Sequence, residues 1–237
     1  MAADLCEEHL HDGVYRLLPL LLQIVRAGAS GGCLGRRDGA DADDGGSPLR
    51  ESARAVRVAH KLIDRIGMIC DDQALVGSLT RGPLLQWAHA ALHLLASAPT
   101  SASGSASALL IAALRMLRLL IGSWSAALKP CANEILPPLG ALLSAAHTAH
   151  AALVGAADAD ADEWRGADAD SEGASLGPEA LTTTLFDTLC ALAASSRFYR
   201  LLLPALADLF YVAVGFLQVM PSSEAAWEAD VAQYLQD

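Results

Sequence analysis

The stretch LLLPALADLFYVAVGFLQVMPSSEAAWEADVAQYLQD, Leu201–Asp237, decides how the rest of the chain is read. From Leu201 to Met220 it is apolar almost all round, interrupted only by Pro204, Asp208, Gly215 and Gln218. A helix with so little polar surface needs cover on most sides, from lipid or from other helices. Its length suits a bilayer span of about 20 residues. Asp208 near the middle costs about 3 kcal/mol on insertion, and no Lys or Arg follows Arg200 to anchor the far flank. The expected cover is therefore protein. At Pro221 the character changes. Ser222 is placed to cap a short helix with Glu224 and Glu228 in its first turns, where carboxylates suit the positive helix end. Trp227 and Tyr234 are its aromatic anchors.

The rest of the composition agrees with a helical core. Hydrophobic residues make up 53% of the 237 and aromatics only 5%, so the core is built from Ala, Leu and Val. Ala and Leu are strong helix formers, and alternating strand-like runs are absent. The fold class expected is all-α. A formal net charge of −11 argues against a nucleic-acid binder, which presents a basic face, and suits a basic protein partner. Five cysteines, Cys6, Cys33, Cys70, Cys131 and Cys190, show no short spacing. They read as reduced thiols of the cytoplasm or nucleus, with Cys70 and Cys190 as small core residues. The start, MAADLCEEHLHDG, has neither the basic beginning nor the apolar run of a signal peptide.

Helices and loops alternate along the chain. Residues 2–11 read as the tail of one helix that stops at Gly13. Tyr15–Gly28 reads as a second, with Pro19 in its first turns. Pro48, Pro83 and Pro178 each open a further helix. In the first of these, Ala55, Val58, Ala59, Leu62, Ile66 and Ile69 fall at helical spacing. Ser107–Ile121 is strongly apolar, and Pro137–Pro138 is expected to break Pro130–Val154 in two. A proline within a Leu-rich turn recurs at Pro19, Pro83, Pro137 and Pro204. Net of the loops between them, the spacing is about 45 residues, the length of a two-helix repeat of about 40–47 residues. The expected organisation is a repeat end over 1–28, a Gly/Asp loop over 29–47, and repeats over 48–98 and 106–154. An acidic insertion over 155–177, a repeat over 178–220 and a connector over 221–237 complete it. Helix pairs this apolar cannot stand alone, and stacking buries their remaining faces.

The buried helix followed by Trp227, Asp230 and Tyr234 resembles the importin-beta (karyopherin) superfamily, where such a helix leads into W-x-x-(D/N)-P-x-x-(Y/F). Val231 stands where that family has proline. The resemblance implies a right-handed α-solenoid of about four HEAT/armadillo-like helical hairpins with two inserted loops. It implies a non-enzymatic nuclear import receptor that shuttles between cytoplasm and nucleus. Its partners would be basic cargo such as core histones or ribosomal proteins, nuclear pore proteins and the small GTPase Ran, with no cofactor, nucleic acid or membrane. It also implies a fragment: the family's amino-terminal Ran-binding repeats would lie upstream of Met1, further repeats would follow Asp237, and this chain alone would bind Ran weakly or not at all.

The candidate cargo site is the acidic insertion. Asp158, Asp160, Asp162, Glu163, Asp168, Asp170 and Glu172 face one Arg165 there. Such a block attracts a basic partner at long range, and Trp164 adds an apolar contact. The same run also reads as a solvated insertion. Asp168–Glu179 places acids and Gly173 at EF-hand positions, but Ser175 replaces the apolar eighth residue and Pro178 precedes the last acid, so calcium is not expected.

Three other groups have plainer readings. His89 and His93 lie four apart as in HExxH, with Ala90 where the catalytic Glu belongs; His147 and His150 lie three apart. Both pairs read as surface or groove histidines. Thr182–Thr184 read as helix-start residues, not nucleophiles. Arg54, Arg57, Lys61 and Arg65 read as a rim for an acidic partner or as a solvated face. Trp87, Phe186, Phe198, Phe210, Tyr211 and Phe216 read as core. Two rival functions remain: an α-solenoid scaffold with no transport role, and a helical metal protein using His89 and His93.

Overall fold

A computed structural model describes residues 2–30, 48–69, 73–97, 104–155, 176–218 and 224, without the side chains of 2–12, 30, 104 and 105. Among the described residues every regular element is helical and no strand occurs. The long helices are α1 (Ala2–Ser30), α2 (Pro48–Ile69), α4 (Pro83–Ala96), α5 (Gly104–Ser123), α7 (Ala132–Val154), α8 (Pro178–Ala194) and α10 (Leu206–Gly215). Short elements join them: α3 (Gln73–Arg81), α6 (Ser125–Leu128) with the 3₁₀ turn Lys129–Cys131, and α9 (Tyr199–Leu202) with the 3₁₀ turn Leu203–Ala205. Pro83 and Pro178 stand in the first turn of α4 and α8, and Pro48 is the first residue of α2. In the first turn a missing amide removes no helical bond.

Three elements differ from the expectation. Helix α1 runs unbroken through Gly13 and Pro19, and α7 runs through Pro137 and Pro138. A helix-interior proline costs roughly 3 kcal/mol, so packing must offset it. In α7 the residues Ile135, Pro138, Leu139, Leu142 and Leu143 are all buried, and tertiary burial supplies most of a helix's stability. Leu201–Met220, by contrast, is not one helix. Pro204 lies in the 3₁₀ turn that separates α9 from α10, and the chain bends by 116° between α8 and the Tyr199–Gly215 pair.

The packing has a simple order. Helices α1, α4, α7 and α10 contact one another in succession, and so do α2, α5 and α8. Across these two rows α1 packs on α2, α4 on α5 and α7 on α8. Each of these pairs is joined by a segment that includes residues outside the described set: 31–47, 98–103 and 156–175.

Helix α5 is the centre, touching α2, α4 and α8. Leu109, Leu110, Ile111, Leu114, Met116, Leu117, Leu120 and Ile121 are all buried, each contributing on the order of 1.5–3 kcal/mol. Its Ala106–Ser123 window is long and apolar enough to cross a membrane, and 67% of that window is buried inside the stack.

The outer helices of the first row present apolar side chains to solvent. On α1 these are Leu17, Leu20 and Ile24; on α9 and α10 they are Leu203, Leu206, Phe210, Tyr211, Val214 and Leu217. Helix α10 has no buried residue. Phe210 and Tyr211 are therefore not core residues: they are 71% and 76% exposed, whereas Trp87 and Phe198 are each 1% exposed. The physical reason is position. Helix α10 stands at the end of its row, packed on α7.

Candidate functional site

The seven acids of the candidate cargo site, Asp158, Asp160, Asp162, Glu163, Asp168, Asp170 and Glu172, lie outside the described residues, as do Trp164, Trp227 and Tyr234. The structure defines where the acidic segment is tethered. It leaves after Gly155, whose amide donates to the Ala151 carbonyl at 3.0 Å at the end of α7. It returns at Gly177, whose extended backbone (φ −70°, ψ 176°) leads into Pro178 and α8. Both tether points belong to one packed pair, α7 on α8.

The histidines occupy two settings. His89 and His93 are exposed on α4, in a groove of about 760 Å³ between α1, α4 and α7 whose walls include Val25, Arg26, Glu134 and Pro137. Glu134 comes within 3.8 Å of His89 Nδ1, with both side chains at least half open to solvent. Such a pair contributes little, on the order of 0–1 kcal/mol, and only when the imidazole is charged. Among the described residues no group of three or more His, Cys, Asp or Glu is placed to hold a metal ion.

His147 and His150 instead form an aromatic junction with α8 and α10. Phe216, just past α10, stands 5.6 Å edge-on to His147, 5.1 Å from His150 and 5.6 Å edge-on to Phe186 of α8. Gly215 lies so close to His147 that an added Cβ would overlap the ring. His150 is 4% exposed, and burial, with His147 next, holds its imidazole below the ordinary 6.5. This junction anchors α10 on the stack.

The basic side chains of α2 gather with two from α5. Arg54, Lys61 and Arg65 are exposed and Arg57 is half-buried. Arg118 of α5 pairs with Asp187 of α8 at 2.6 Å. His60 reports this surrounding charge: burial lowers its pKa from 6.5, Asp64 opposes, and Arg115, Arg118 and Lys61 reinforce. His60 thus lies among Lys61, Arg115 and Arg118, with the acids Asp64 beside it and Asp187 on Arg118. The partners Asp187 and Glu134 were not foreseeable from spacing, since each comes from a different helix.

The remaining candidates are structural. Thr182, Thr184 and Thr188 donate to the carbonyls of Pro178, Ala180 and Thr184 at 2.7–2.8 Å, which occupies their hydroxyls inside α8. Cys190 is exposed, not a small core residue; Cys70, expected in the core as well, lies outside the described residues, and Cys131 is buried. Burial pushes the Cys131 thiol up, with Glu134 adding to it; a raised thiol is a poor nucleophile. Compared with known proteins, the chain matches no family model, no curated sequence and no solved structure.

Proposed function

We propose that the chain is a protein-binding segment of a right-handed α-solenoid of about four HEAT-like hairpins, acting as a nuclear import receptor of the importin-beta kind. The reading is supported most by one observation: the long helices stack in two rows, and the outermost helices of one row leave apolar faces uncovered. A stack of this kind offers long surfaces and neighbour-only contacts. In this reading the acidic segment after Gly155 is the cargo contact, and its like charges draw in a basic protein such as a core histone or ribosomal protein. Ran and nuclear pore proteins would engage the longer receptor, which would shuttle between cytoplasm and nucleus without catalysis.

The test is retention of core histones on the immobilised chain across a salt series. The expected outcome is salt-sensitive retention that falls at least tenfold when the seven acids of 155–177 become Asn or Gln. Equal retention by the neutralised variant overturns the acidic-segment assignment. A chain that retains no basic protein even at low salt leaves the second reading, a scaffold with no transport role, as the one the packing supports.

A further inference from the structure

The apolar side of α9 and α10 is uncovered among the described residues. Leu203, Leu206, Phe210, Val214 and Leu217 are 58%, 56%, 71%, 49% and 77% exposed. They succeed one another at intervals of three and four: Leu206, Phe210 and Val214 share one face of α10, Leu203 lies in the 3₁₀ turn before it and Leu217 just past its end. An exposed apolar stripe of this kind marks a contact surface. We propose that its occupant is the chain's own carboxy-terminal segment, residues 222–237, lying back along α10 as a helix.

Three observations carry this. The first is the rule of the stack. The first three members of the α1, α4, α7, α10 row are each packed by the next long helix in the chain: α1 by α2, α4 by α5, α7 by α8. Helix α10 is the fourth member, and by the same rule its partner would come from the segment next in the chain, residues 219–237. Glu224, the one described residue beyond Gln218, is helical.

The second is fit. Pro221 permits a sharp turn straight after the stripe ends. Trp227, Val231 and Tyr234 then repeat at i, i+4 and i+7, which is one apolar face of a helix. Sixteen residues of helix span about 24 Å, and the Leu203–Leu217 stripe spans about 21 Å at the same rise per residue.

The third is charge. Returning antiparallel, the segment would bring Asp237 to the start of the stripe. Arg197 and Arg200 stand exposed there, and they are the last cations of the chain. The docked segment thereby converts an apolar end face into an acidic one.

Hydrogen exchange of the full chain tests the assignment. In the natural chain the amides of 206–215 should be protected. In Trp227→Ala/Tyr234→Ala they should exchange at least tenfold faster, while those of 109–121 stay unchanged. Reciprocally, Phe210→Glu should open residues 222–237 to limited proteolysis without exposing 178–194, and Trp227→Phe should retain the natural protection. Equal exchange of 206–215 in the natural and doubly substituted chains overturns the proposal. So does a concentration-dependent dimer that Phe210→Glu dissolves and the Trp227/Tyr234 substitutions leave intact, since a second copy would then be the occupant.

Discussion

Gly28 of α1 rests against Ser52 of α2 so closely that a methyl group at position 28 would overlap the serine hydroxyl and come within 2.9 Å of the Pro48 carbonyl. The two helices approach at this point because both positions are small. Ser52 is itself fully buried, and its Oγ has no hydrogen-bond partner among the described residues.

Gly28→Ala therefore sets two effects against each other. Alanine gains up to about 1 kcal/mol of helix propensity, and overpacking costs about 1–3 kcal/mol. A net loss is expected, read as a lower urea midpoint with an unchanged slope. Ser52→Ala alone should be neutral or stabilising by up to about 1 kcal/mol, because it removes a buried hydroxyl that lacks a partner among the described residues. Added to Gly28→Ala, it should recover part of the loss, since the Pro48 carbonyl still crowds the new methyl.

Trp87, 1% exposed in α4, is the largest fully buried side chain of the stack. Trp87→Ala should cost about 3–5 kcal/mol by leaving a cavity. The same urea titration measures it, and a change below about 1 kcal/mol would contradict the packing described.

The Arg118–Asp187 pair joins α5 to α8 at 2.6 Å but is about half exposed on both sides. Asp187→Asn should cost no more than about 1 kcal/mol, and the difference from the natural chain should shrink as salt rises. A loss of 3 kcal/mol or more, insensitive to salt, would mean that the pair is desolvated and the exposure wrong.

The pH dependence has a definite sign. His60 and His150 both have folded-state pKa values below 6.5. The unfolded chain then binds protons more readily than the folded one below pH 6.5, so stability is complete above that value and falls as pH drops toward the folded pKa. The melting temperature at pH 5.5 should be lower than at pH 7.5. His150→Gln should flatten the slope, because its neutral side chain gains no charge beside Phe216.

Local rules of proline placement made much of the helical order legible. Pro48, Pro83 and Pro178 open helices because a first-turn proline lacks nothing that the helix needs. The same rules misplaced the breaks at Gly13 and Pro137–Pro138, where burial by neighbouring helices outweighs a local penalty. Helix α2 shows the limit of periodicity in an Ala-rich chain. Its buried face is Ser52, Ala53, Val56, Ala59, Ile63 and Ile66, while Val58 and Ile69, expected on that face, are about half exposed. At Ser52 the buried face is small because α1 comes so near at Gly28. For the candidate site, sequence could name the seven acids from charge alone. It could not foresee that Asp187 meets Arg118 across 69 residues or that Phe216 closes on His147 and His150, because no short spacing encodes contacts between helices.

The neighbour-to-neighbour order of the helices also governs how the chain assembles in time. Helices α4 and α5 are joined by only seven residues, 97–103, and pack directly on each other. Closing so short a loop is rapid, and contacts local in sequence favour fast folding. The α4–α5 pair should be the nucleus onto which α2 and α8 condense, with α1 and α10 adding last. On pulling or heating, the order should reverse: the outer helices peel away first, and α5 is the last to let go.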